Sequence, residues 1–166
     1  MALAVTFIQT ITVGAGGSAT IDFTSIPQTY TDLMILFSTR STDLQNVNIK
    51  FNNTSTTYTT IHMSGDGSGT TTNNYILGGL SVGSTATANV FGNNMYYIPN
   101  YTGSAQKVYS VDSVPENNAT TSGIGLMMTG AKWNGTSAIN QITFNIVSSG
   151  NFAQYSSASL YGIKNS

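Results

Sequence analysis

The chain of 166 residues carries five Lys plus Arg against six Asp plus Glu, only 7% charged residues and no cysteine. That composition excludes a disulfide framework, a thiolate metal site and a thiol nucleophile, and cations as scattered as Arg40, Lys50, Lys107, Lys132 and Lys164 exclude a polyanion-binding patch. Nine Tyr, seven Phe and many Val, Ile and Thr set it apart from low-charge chains that stay disordered, so one folded domain over 1–166 is expected.

In chain order, Leu3, Val5, Phe7, Ile11 and Val13 fall on odd positions against Thr6, Thr10 and Thr12 on even ones, the period of a half-buried strand. Gly14–Gly17 turns the chain, and Ala19, Ile21 and Phe23 alternate with Thr20, Asp22 and Thr24, which predicts a hairpin. Pro27 breaks the strand, since proline lacks the N–H a ladder needs. Thr31–Thr39 follows, apolar on both faces from Leu33 to Phe37. Such a run suits a central strand covered on both sides, or one whose outer face meets a neighbouring subunit. Val47, Ile49 and Phe51 alternate with Asn46, Asn48 and Lys50, and Thr56–Met63 reads as another strand. Ser64–Asn74 holds almost only Gly, Ser, Thr and Asn and predicts a surface loop.

A long strand bent near Gly92 is expected over Thr85–Ile98, further strands over Lys107–Val114 and Ile124–Ala131, and a polar loop over Pro115–Gly123. Two closing strands fall at Ile142–Ile146 and Ala158–Ile163. The last of them must pair with something already built, and Leu3–Val13 and Leu33–Phe37 are the natural partners. About ten strands without a helical stripe imply an all-β, two-layer antiparallel sandwich, with a jelly roll as its expected form. The phase of each run puts Phe7, Phe23, Ile35, Phe37, Phe51, Phe144, Ile146 and Leu160 in the core.

Little in the sequence points to chemistry. His62 stands in a predicted strand and Asp66 in a glycine loop, with no G-x-S-x-G elbow, so a hydrolytic set is not expected. Gly65–Gly69 has one carboxylate where a calcium loop needs several, and Glu116 lacks a partner for glycoside hydrolysis. The chain is therefore expected to be no enzyme and to need no cofactor or metal. The N-terminal run lacks a basic stretch ahead of its apolar part and is expected to be a strand, not a signal peptide. No segment approaches the ~20 apolar residues of a membrane helix, so neither membrane nor nucleic acid is an expected partner.

Two sets of residues are candidates for contact. Tyr96, Tyr97 and Tyr101 cluster around a proline turn and Trp133 sits beside a glycine turn. They are candidate glycan contacts, against the favoured reading as cross-strand pairs and core edge. Met34, Met63, Met127 and Met128 offer adaptable apolar surface. With the two-sided run they make Leu33, Met34, Leu36, Met127 and Met128 a candidate interface between copies. A near-neutral surface gives little colloidal protection, so a chain assembled with itself or docked on a larger body is expected.

The segments Phe23–Leu33, Ser38–Ser41, Trp133–Phe144 and Asn151–Lys164, with the ending Leu160-Tyr161-Gly162-Ile163, resemble small β-sandwich virion proteins of tailed phages, common in marine and cyanobacterial phages. The resemblance implies a fold and a role in the particle, with no functional residues to carry over. Such modules occur on capsids and on tail fibres, so it implies a structural protein at the virion surface, made in the host cytoplasm. The expected form is a capsid decoration (cement) protein bound to the major capsid protein, with a homotrimer as the expected assembly. Strand starting at Leu3, with no shaft ahead of it, favours that address. The alternative is a short tail-fibre or receptor-binding module recognising host surface glycan.

Overall fold

The computed structural model describes residues 4–43, 46–54, 58–65, 70–73, 78–115, 125–147 and 150–164. Among them twelve strands form and no α-helix: β1 (Ala4–Thr12), β2 (Thr20–Phe23), β3 (Asp32–Thr39), β4 (Asn46–Phe51), β5 (Tyr58–Gly65), β6 (Thr70–Asn73), β7 (Gly79–Leu80), β8 (Gly92–Ile98), β9 (Lys107–Val114), β10 (Leu126–Trp133), β11 (Ile142–Ile146) and β12 (Ser157–Lys164). They build two antiparallel sheets packed face to face. The larger runs β1-β12-β3-β8-β9-β10-β5-β6 and the smaller β2-β11-β4-β7.

Inward-facing residues of the two layers interdigitate into a single aromatic core. Phe144 of the small sheet lies 4.8 Å from Phe37 and 5.1 Å from Tyr96, and Phe51 lies 5.3 Å from Tyr109 and 5.6 Å from Trp133. Each such tilted or edge-on pair adds about 0.5–1.5 kcal/mol beyond the area it buries. Burial of the phenol oxygens raises the Tyr96 and Tyr109 pKa values, and lifts Tyr58 to about 12.

The closing strand behaves as the alternation predicts. β12 pairs with β1 on one side and with β3 on the other, placing Leu160 opposite Ile35 and Ala158 opposite Phe37. Gly162 is required here, because a Cβ would sit 2.3 Å from the Tyr30 ring that covers it.

Several expectations change. The first two strands do not form a hairpin: after Gly14–Gly17 the chain crosses to the other layer, where β2 pairs with β11. Phe7, expected in the core, is exposed. It pairs with Tyr161 and Gln9 with Leu160, so Ile8 is an extra residue, and this bulge shifts the phase that the odd-numbered pattern assumed to be continuous. Ile8 and Ile11 pack toward the core, and Phe7 sets its ring edge-on to Tyr161 at 5.8 Å on the outside. The stretch Thr85–Val90 is turn rather than strand. Arg40 holds it by donating to the carbonyls of Thr87 (2.7 Å), Val90 (3.1 Å), Ala86 (3.0 Å) and Ser84 (3.4 Å). The Ser64–Asn74 stretch contributes the end of β5 and all of β6, paired from Gly65–Thr70 to His62–Asn73. Its residues 66–69, and most of the loop expected over Pro115–Gly123, lie outside the described residues.

Polar groups inside the sandwich fasten one loop to another. Lys107, 2% exposed, donates from Nζ to the carbonyls of Gly103 and Ala105 (2.6 Å each) and Thr136 (3.3 Å), and burial lowers its pKa. Asn94 Oδ1 accepts from Leu80 N–H (3.2 Å) and Ser113 Oγ (2.6 Å), tying β7 to the large sheet. Asn52, in the left-handed region at φ 52°, accepts from the N–H groups of Asn140 and Gln141 and donates to the Ala138 carbonyl (2.8 Å).

Candidate functional surface

Alternation puts every second side chain of the large sheet on its outer face, and antiparallel register decides which of them are neighbours. Leu36 lies opposite Met95, Met95 opposite Asp112, Asp112 opposite Met128, and Met128 opposite Met63. One pleat along, a second row crosses the sheet through Phe7, Tyr161, Met34, Tyr97, Ser110, Gly130 and Ile61. Val108, Val114 and Leu126 flank these rows. Ile61 (67% exposed), Leu126 (64%), Met128 (59%) and Phe7 (57%) are among the most exposed apolar residues of the protein. Asp112 and the half-buried Lys132 lie on the central strands of this face, as does Asp32 at the start of β3, buried against Tyr97.

At β5 and β10 the usual polarity of a sandwich strand is reversed. Their outward positions hold Ile61, Met63, Leu126 and Met128. Their inward positions include Thr60, His62 and Thr129, each 2–3% exposed. His62 lies buried, and its pKa is lowered by that burial, which suits a neutral imidazole. It faces away from solvent, and Asp66 falls outside the described residues, as does Glu116. Among the described residues no group of three or more His, Cys, Asp or Glu could hold a metal ion, and no helix is long and apolar enough to cross a membrane.

The structure divides both candidate sets. Of the five interface candidates, Leu33 and Met127 are core residues, while Met34, Leu36 and Met128 share the outer face. Of the aromatics, Tyr96, Tyr101 and Trp133 are 0–2% exposed and so have no ring face to offer a sugar. Tyr101 instead donates its hydroxyl to the Pro27 carbonyl, and Gly135 lies flat against the Trp133 ring, where a Cβ would clash at 2.1 Å. Tyr97 alone of the four is exposed. Its hydroxyl donates to Asp32 Oδ2 at 2.8 Å, and Asp32 Oδ1 accepts from Asn100 N–H at 2.9 Å, which pins the ring to the sheet. That hydrogen bond is the main cause of the raised Tyr97 pKa. Sequence reasoning missed Ile61, Met95, Val108, Leu126 and Gly130. The signal was present in β5 and β10, where Ile61-His62-Met63 and Leu126-Met127-Met128-Thr129 have apolar residues on the phase opposite to the polar ones that turn inward.

No family model matches the sequence, no curated protein matches it, and no solved structure matches the fold.

Proposed function

We propose that this chain is a structural protein of a tailed-phage particle, carried on the head as a decoration protein that bridges capsomers and stabilises the shell. The observation that supports an assembly role is the outer face of the large sheet, apolar from Phe7 to Met63 with little charge on it. A monomer that stays soluble rarely leaves so large a contiguous apolar patch uncovered. Among the described residues, several ionisable groups serve the fold: Arg40 and Lys107 bond loop carbonyls, Asp32 bonds Tyr97 and Asn100, and His62 lies in the interior. The virion role rests on the resemblance of the closing segments, and the low charge and Thr/Asn-rich composition agree with it.

The test is a count of copies and a stability assay. Particles should carry hundreds of copies, and particles stripped of the protein should burst at lower temperature while still adsorbing to cells. About a dozen copies per particle, with stripped particles equally robust but unable to adsorb, would place the protein on a tail fibre instead.

A further inference from the structure

We infer that the outer face of the large sheet is covered by a second copy of this chain, packed face to face about a two-fold axis that crosses the strands at Ser110 and Gly130. The inference deepens the assembly reading by naming which surface joins copies.

The edges of the sheet are poor joining sites. β1 carries its bulge at mid-strand, a device that blunts an edge, and β6 at the other edge has four residues. The broad face is what remains. Seven strand spacings of about 4.8 Å by strands about 25 Å long give roughly 850 Å², close to the roughly 800 Å² that each partner contributes to a standard interface. Two sheets of the same twist stack across such a width when rotated by about 30°.

Gly130 marks the centre. Strand glycines weaken a sheet, and each usually has a reason in its surroundings. A Cβ at Gly79 would strike Asn94 Oδ1 at 2.5 Å, one at Gly92 would crowd Pro115 at 3.3 Å, and one at Gly162 would strike Tyr30. A Cβ at Gly130 would meet nothing within 4 Å, and its φ is not among the positive values. Nothing among the described residues requires glycine there. With Ser110 directly opposite, it leaves a shallow hollow between Tyr97 and Ile61 in the same row, which lets a second sheet approach closely.

The charges fit the same axis. Asp112 lies two residues beyond Ser110 on β9, opposite Met128. Lys132 lies two residues beyond Gly130 on β10, opposite Val108. They sit on either side of the Ser110–Gly130 pair, so a two-fold crossing the strands there brings Asp112 of each copy toward Lys132 of the other. A lysine and an aspartate together span the ~10 Å between stacked sheets. The face is thus complementary to itself, and an isologous contact of this kind closes at two copies. The trimer expected from sequence would need two different patches.

Sedimentation equilibrium on the full chain tests this. The wild type should dimerise at micromolar concentration. Asp112→Lys and Lys132→Asp should each weaken the dimer at least about tenfold, while their equimolar mixture and the double exchange should restore it. Gly130→Phe should weaken it about 100-fold with the melting temperature of the monomer unchanged. A wild type that is monomeric at hundreds of micromolar, a trimer, or a dimer indifferent to all these variants would overturn the inference. So would a mixture that fails to restore association. A monomer whose binding to particles is lost with Gly130→Phe would overturn it in favour of the shell as occupant, leaving the decoration role intact. A dimer that binds no particle would leave this interface standing and remove that role.

Discussion

The two outward faces of the sandwich obey the same alternation and are chemically opposite. On the small sheet, Thr143 stands between Asp22 and Lys50, and Asn145 between Thr20 and Asn48. Some of these side chains bond one another: Asp22 accepts from Thr20 and Thr143 at 2.5 Å each, and Thr143 Oγ1 also lies 3.0 Å from Asn53 Oδ1. That face is polar, and most of its groups find neighbours, though Asn145 Oδ1 is buried without a partner among the described residues. On the large sheet most of the equivalent positions hold Met, Ile, Val, Leu and Phe, which have nothing to bond and gain only by being covered, around a few polar residues such as Ser110, Asp112 and Lys132. One layer is dressed for solvent and the other for contact, so substitutions on the two faces should be read by different instruments.

The largest effect should come from removing what joins the two layers. Phe144→Ala takes away the small-sheet ring that meets Phe37 and Tyr96, and should cost about 3–5 kcal/mol in urea unfolding. Because one core supports both faces, loss of both should follow a single transition seen by far-ultraviolet circular dichroism and by Trp133 fluorescence. Two transitions would mean that the layers are independent.

Next, Asp22→Ala on the small face removes the acceptor for two threonine hydroxyls and should cost about 1–2 kcal/mol. The matched change on the large face, Ile61→Thr with Met128→Thr, removes exposed side chains and should stay within about 0.5 kcal/mol when measured at concentrations where the chain is single. It should instead lower binding of a hydrophobic dye. Equal losses of stability from the two faces would erase the contrast between them.

The smallest effect is one of pH. Burial holds the His62 pKa below the ordinary histidine value of 6.5, so the unfolded chain takes up a proton that the folded one refuses. The stability that neutral His62 contributes is therefore complete above pH 6.5 and is lost as pH falls from there toward its folded value. The melting temperature should drop over that window with a slope of at most one proton, and His62→Gln should flatten it. An unchanged slope in the variant would assign the effect to carboxylates.

How far the sequence revealed this depends on whether a feature is local or set by register. The alternation in Val47–Phe51, Lys107–Val114 and Ile142–Ile146 specified strands and their buried faces, because period 2 and one apolar side are local properties. The doubly apolar run Leu33–Phe37 read as a central strand covered on both sides or one facing a neighbouring subunit; β3 does lie between β12 and β8, but its outer face is open at Leu36. Phe7 was misread because a single inserted residue inverts the phase and leaves no mark of its own in the composition. The predicted hairpin failed since four residues of turn serve equally well to pair two strands or to pass between layers. The outer face was half legible. Met34, Leu36 and Met128 were named, but Leu33 and Met127, their immediate neighbours, point the other way. Choosing between such neighbours requires the register of the whole sheet.

The position of β12 has a consequence in time. The strand that holds β1 to β3 is the last of the twelve to be made, and its partners lie some 120 and 150 residues earlier. Until Ser157–Lys164 emerges, β3 shows a bare flank and β1 has no ladder to join, so the eight-stranded sheet cannot be completed before that strand is made. Closing contacts over such separations places folding toward the slow, millisecond-to-second end of the range for small domains. Every molecule therefore passes through a stage in which its most association-prone strands are open, and a chain that stops short of β12 never leaves it.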